Sequence, residues 1–265
     1  MNMTPHASLS AALHFDFDLA SDPQPFERVV ATLTRRFPTE DLLSWVIDLK
    51  NYAPPPEPLD LDRVVARIAS ETLSVAAVES ALKTAELSRL SIVADVVPRG
   101  ERSRSQTRCR HDFKAVCGAQ RLHESGSGPI LDALISFADA VGVRAGAVFW
   151  AHSAAYASCL ASCSESSALS REESSHVSDL MYWQPRWGDV IRGPQWGTFL
   201  GAPHVLRLGG IARIESESGC SRIVPLASGG AFLQTTSIEN AFVEGDDRGV
   251  LAKLARYLTP VMGTR

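Results

Sequence analysis

Apolar and polar positions along the chain fall into runs whose spacing predicts a succession of strands and helices. His14-Phe15-Asp16-Phe17-Asp18-Leu19 alternates with a period of two, as a half-buried strand does. Ser21-Asp22-Pro23 offers a helix start. Phe26, Val29, Val30, Leu33 and Phe37 then recur at three-and-four spacing until Pro38 stops the run. Asp41 to Leu49 is a short amphipathic piece around Trp45. Ala53-Pro54-Pro55-Pro56-Glu57-Pro58 must be extended, because proline continues neither a helix nor a ladder. It predicts a linker between layers or lobes, with a boundary near residues 53–60. Leu61 to Ile68 and Val75 to Leu90, rich in alanine, leucine and glutamate, predict helices, and Leu90 to Val97 predicts a strand ended by Pro98 and Gly100.

Arg99 to Lys114 carries Arg99, Arg102, Arg104, Arg108, Arg110 and Lys114 against only Glu101 and Asp112, with almost no large apolar residue. The expectation is an exposed, mobile basic loop over about 99–128. A basic stretch can meet nucleic acid, but a solvated connection is the commoner explanation. Beyond it, Ile130 to Val141 predicts a helix capped by Gly142, and Val143 to Trp150 a buried strand. Ser153 to Cys163 and Ser170 to Met181 read as helices joined by a serine-rich loop. Ser221 to Pro225 and Ala231 to Thr235 are short strands about the turn Ser228-Gly229-Gly230, and Asp247 to Leu258 is the closing helix. This order predicts an α+β fold: a mixed, mainly antiparallel sheet flanked by helices, in one domain over 1–265.

Composition narrows the function. With 265 residues, 45% of them hydrophobic and 21% charged, the chain is of ordinary globular type and long enough for a sizeable core. A net charge of -4 argues against a dedicated nucleic-acid binder, which needs a basic footprint. The longest apolar runs, such as Val143 to Ala151 with its Arg144, fall short of the roughly 20 residues that cross a bilayer, so no membrane partner is expected. Met1 to Leu13 lacks a basic segment followed by an apolar stretch and a cleavage site, which makes a cytoplasmic protein the expectation. Cys109, Cys117, Cys159, Cys163 and Cys220 are odd in number and spread over a long chain, as reduced thiols are.

Catalytic patterns fail one by one. Gly126-Ser127-Gly128 lacks the strand-turn-helix flanks of a nucleophile elbow, and neither of the glycine-rich phosphate-binding motifs is present. His111-Asp112 with Cys109 and Cys117 can be drawn as a thiol site or a metal site, and His152 with Cys159 and Cys163 as another metal site. Neither drawing has the second close ligand pair that zinc prefers. On a helix Cys159 and Cys163 fall one turn apart, as two small core residues would. The expectation is a protein with no catalytic residues, metal, cofactor or small-molecule substrate.

The segment from Met181 to Gly210 is different in kind. It holds Trp183, Trp187 and Trp196, three of the five tryptophans, with Gly188, Gly193, Gly197 and Gly201 at short intervals. Each tryptophan offers a large apolar plane and one donor, so it either anchors a partner or pins an irregular segment to the core. The glycines suit a chain that turns tightly or passes close to other backbone. Pro203 to Leu208 then predicts a short helix ended by Gly209-Gly210.

Arg192-Gly193-Pro194-Gln195-Trp196-Gly197-Thr198, continued by Pro203-His204-Val205 and Leu208-Gly209-Gly210, resembles the type VI secretion immunity proteins. These are paired with restriction-endonuclease-like (Tox-REase) toxins of bacterial polymorphic toxin systems. The motif covers about a tenth of the chain, and the layout of early strand, late strand pair and closing helix extends it. The resemblance implies an immunity protein that binds a cognate type VI effector, a nuclease, and occludes its active site in a heterodimer. A nuclease cleft is basic, so acidic side chains become interface candidates: Glu40 and Asp41, Glu172 and Glu173, Glu215 and Glu217, and Glu244, Asp246 and Asp247. The alternatives are an adaptor or chaperone that loads the effector without blocking it, and an enzyme built on Cys109, His111 and Cys117.

Overall fold

Strand β1, Ser8–Asp16, pairs on both sides and stands inside a ten-stranded sheet that draws on the chain from end to end. A computed structural model describes residues 8–16, 23–36, 42–48, 57–69, 73–80, 89–95, 110–118, 128–151, 156, 159, 167–183, 190–191, 193–237 and 246–263. After β1 come α1 (Gln24–Arg36), β2 (Leu42–Asp48), β3 (Glu57–Pro58), α2 (Leu61–Ala69), β4 (Leu73–Ser80), β5 (Arg89–Asp95) and β6 (Arg110–Gly118). Then follow α3 (Gly128–Val141), β7 (Ala145–Ala151), α4 (Arg171–Trp183), β8 (Gly197–Leu200), α5 (Ala202–Arg207) and α6 (Ile211–Glu217). The chain closes through β9 (Arg222–Pro225), β10 (Ala231–Gln234), α7 (Asp246–Leu258) and a 3-10 turn, Thr259–Val261. The strand order is β3-β2-β4-β5-β6-β1-β7-β8-β10-β9, every neighbouring pair is antiparallel, and the fold is α+β.

The sheet's C-terminal half is covered on both faces. Leu13, Val148, Phe199 and Phe232 share one core with Phe26 and Val30 of α1, Val64 and Ile68 of α2, and Leu134 and Phe137 of α3. Ala145, Leu200, Ala231 and Leu233 belong to a second core, with Val205, Leu208, Ile214, Leu254, Leu258 and Val261. Successive residues of β10 therefore enter opposite cores, and the strand is an apolar run rather than an alternation. Helix α2 shows how local and tertiary signals agree. The Arg63 amide donates to Asp60 Oδ1 at 3.0 Å, which caps the first turn, and Val64 and Ile68, four apart, are the buried pair.

Several expectations are corrected. The start of the expected helix Val75 to Leu90 is instead strand, because Leu73–Ser80 is bonded to β2 on one side and β5 on the other, and residues 81–88 lie outside the described residues. Alanine and glutamate favour helix only weakly, and pairing on two sides with β-branched Val75 and Val78 overrides that. The basic stretch is not a loop throughout: Arg110–Gly118 lies between β5 and β1, where both neighbours supply backbone partners. Helix α3 begins at Gly128, and residues 99–109 and 119–127 of the expected loop lie outside the described residues. The first strand begins six residues earlier than the alternation of His14 to Leu19 indicated. Ala11 and Leu13 face one way and Ala12 and His14 the other, yet all four are buried. The amphipathic piece around Trp45 is strand β2, and the proline-rich linker ends in Glu57–Pro58, paired to Leu43 and Ser44. Strands from both sides of residues 53–60 share the sheet.

The other described elements fall where the pattern put them, within a residue or two, in α1, α2, α3, β5, β7, α4, α5, β9, β10 and α7, whereas the expected helix Ser153 to Cys163 lies, apart from residues 156 and 159, outside the described residues. Both edge strands are short and carry a proline, Pro58 in β3 and Pro225 in β9. Proline lacks the amide a further strand would need, so these edges resist pairing with other chains.

Gly249 tests how far helix propensity still counts. It lies inside α7, it is exposed, and a methyl group there would meet nothing within 4 Å. Gly249→Ala is expected to raise unfolding stability by about 0.5–1 kcal/mol, as read from the urea midpoint at unchanged slope.

Candidate interaction site around the Trp-Gly-Thr segment

The segment enters β8 through Gly193, whose φ of +137° an L side chain rarely adopts. A local pair of hydrogen bonds closes the turn. The Gln195 amide donates to Thr198 Oγ1 at 3.0 Å, and the Thr198 hydroxyl donates back to the Gln195 carbonyl at 3.4 Å. Thr198 is buried, so its hydroxyl serves the fold.

Gly197 is the tightest point. It pairs with Val148 of β7 and Gln234 of β10, and a Cβ there would sit 2.9 Å from both Phe232 Cε2 and Val148 Cβ. The Phe232 ring uses the space that glycine leaves, and it tilts 45° against Phe199 with centroids 4.7 Å apart. Trp196, also buried, stands edge-on to Trp150 at 5.3 Å and 67°. Its carbonyl accepts both the amide of Thr235 at 2.9 Å and the hydroxyl of Thr235 at 3.3 Å. Trp196 thus pins β8 to the end of β10.

Beyond β8, the Gly201 amide donates to the Arg144 carbonyl at 3.0 Å and lies 3.3 Å from Nδ1 of the buried His204. Helices α5 and α6 are joined through Gly209 and Gly210, with φ of +89° and +90°. Arg207 donates to the Pro260 carbonyl, and the Tyr257 hydroxyl donates to the Leu208 carbonyl at 3.3 Å, which ties α5 and its end to α7 and the 3-10 turn. Of the two roles open to the tryptophans, Trp196 fills the pinning one. Trp183 closes α4 and its side chain is not described; Trp187 and Arg192 lie outside the described residues.

The acidic candidates are not brought together by what is described. Glu173 forms a capping box: its carboxylate accepts the Ser170 amide at 2.7 Å and its own amide donates to the Ser170 hydroxyl at 3.3 Å. Glu217 pairs with Arg213 one helical turn away at 3.0 Å. Glu172 and Glu215 are exposed. Asp246 and Asp247 open α7, where carboxylates suit the positive helix end. Glu40, Asp41 and Glu244 lie outside the described residues.

The thiol drawing fails on geometry. His111 and Cys117 both lie on β6, and six residues of extended chain separate them by about 20 Å. Cys109 lies outside the described residues, as do His152 and Cys163 of the metal drawing. Cys159 is buried, and its thiol is pushed up by desolvation and then by Glu173, the opposite of an activated nucleophile. Among the described residues no group of three or more His, Cys, Asp or Glu side chains is placed to hold a metal ion, and no helix is long and apolar enough to cross a membrane.

Sequence patterns missed the strand Gly197–Leu200, the helix Ile211–Glu217 and the capping role of His204. They also missed Leu206, an 80% exposed leucine on α5. A four-residue strand and a seven-residue helix are too short to display a period.

No family model matches the chain, and no curated protein matches it either. Among solved structures, the fold is similar to that of a Pseudomonas aeruginosa T6SS protein, with a TM-score of 0.54 and 11% sequence identity over 97% of this chain and 73% of that one. At that identity the similarity is one of fold.

Two outcomes follow from the packing. Gly197→Ala is expected to lower stability by about 1–3 kcal/mol, since Phe232 and Val148 must move; chemical denaturation reads this directly. Tyr156 has its phenol pushed up from 10.0 to about 12, by desolvation first and then by Glu173 and Glu172. Above pH 10 the unfolded chain releases this proton while the folded chain keeps it, so the contribution to stability falls as pH rises from 10 towards 12. Ultraviolet titration of the four tyrosines should show one ionising about two pH units late.

Proposed function

We propose that this chain is a T6SS immunity protein: it binds a cognate effector toxin with a nuclease domain and holds it inactive by covering the active site, with no chemistry of its own. The observation that carries this reading is the similarity of the fold, over 97% of the chain, to a Pseudomonas aeruginosa T6SS protein. The Arg192-to-Thr198 motif and its continuation to Gly210 support it independently. An occluding inhibitor needs a rigid body whose surface is preorganised, and the Trp150–Trp196 and Phe199–Phe232 contacts contribute to one.

On this reading the motif supplies the scaffold and other residues make the contact. Glu172 and Glu215 are exposed on separate helices and suit the phosphate positions of a basic cleft, whereas Glu173 and Glu217 already serve a cap and an ion pair. Protection from a lethal enzyme calls for nanomolar affinity, about 12 kcal/mol, and an interface of roughly 1,200–2,000 Å².

The test is co-expression with the effector encoded beside it. Growth should be restored, the two proteins should elute as one complex, and nuclease activity should vanish at equal molar amounts. Charge reversal of both acids, Glu172→Lys with Glu215→Lys, should slow association about tenfold or more. A nuclease that stays fully active while bound would make the chain an adaptor, and no association at all would end the immunity reading.

A further inference from the structure

We draw no further inference here: the strongest candidate, the apolar face of the sheet where the register sets Trp45 and Ile47 of β2 opposite Ala77 and Val75 of β4, with Val93 of β5 beside Ala77, carries nothing because no feature of the structure shows what covers it.

Discussion

The approach of the Phe232 ring to the bare backbone of Gly197, with Val148 on the other side, is the contact on which the rest of the C-terminal half depends. Strands β7, β8 and β10 are buried on both faces, so each must place alternate side chains into two different cores. A slip of one residue would send Phe199 and Phe232 into the core that holds Leu200, Ala231 and Leu233. A missing side chain at Gly197 lets the ring lie over the neighbouring strand and fixes which residue stands opposite which. The tryptophan pair, the Gln195–Thr198 turn and the Gly201–Arg144 bond then fall into place around that register.

This arrangement separates the motif from the surface. Trp196, Gly197 and Thr198 are interior, which gives them a reason to stay together in a scaffold whatever surface is displayed on it. The sheet's edges carry Pro58 and Pro225, so strand addition by a partner is disfavoured. In the proposed complex, contact falls to exposed helices and loops, where Glu172 and Glu215 stand, and a rigid core keeps the entropy lost on binding small.

Helices α1, α2 and α3 were legible from spacing because each buries one face and leaves the other to solvent, which is what a period reports, and β7 because a strand buried on both faces is a short apolar run. Strand β4 was misread because Val75-Ala76-Ala77-Val78 with Glu79 satisfies helix propensity locally, while its two partners, Leu42–Asp48 and Arg89–Asp95, are distant in sequence. Strand β6 was misread because arginines and a lysine hide a strand whose backbone bonds are made by β5 and β1. The candidate site divides in the same way. The motif could be read in order along the chain, but that its glycine accommodates Phe232 and its tryptophan meets Trp150 could not, since both partners lie more than thirty residues away.

The chain alone determined the α+β class, most of the helices, the late hairpin and the Trp-Gly-Thr motif, all of which depend on neighbours within a few residues. Tertiary structure decided the ten-strand order, the burial of both sheet faces, the fate of the basic stretch and which acids remain on the surface. The physical reason is that a strand's hydrogen bonds are made to another strand, and burial is set by what packs from afar, so neither is written in the spacing of the residues themselves.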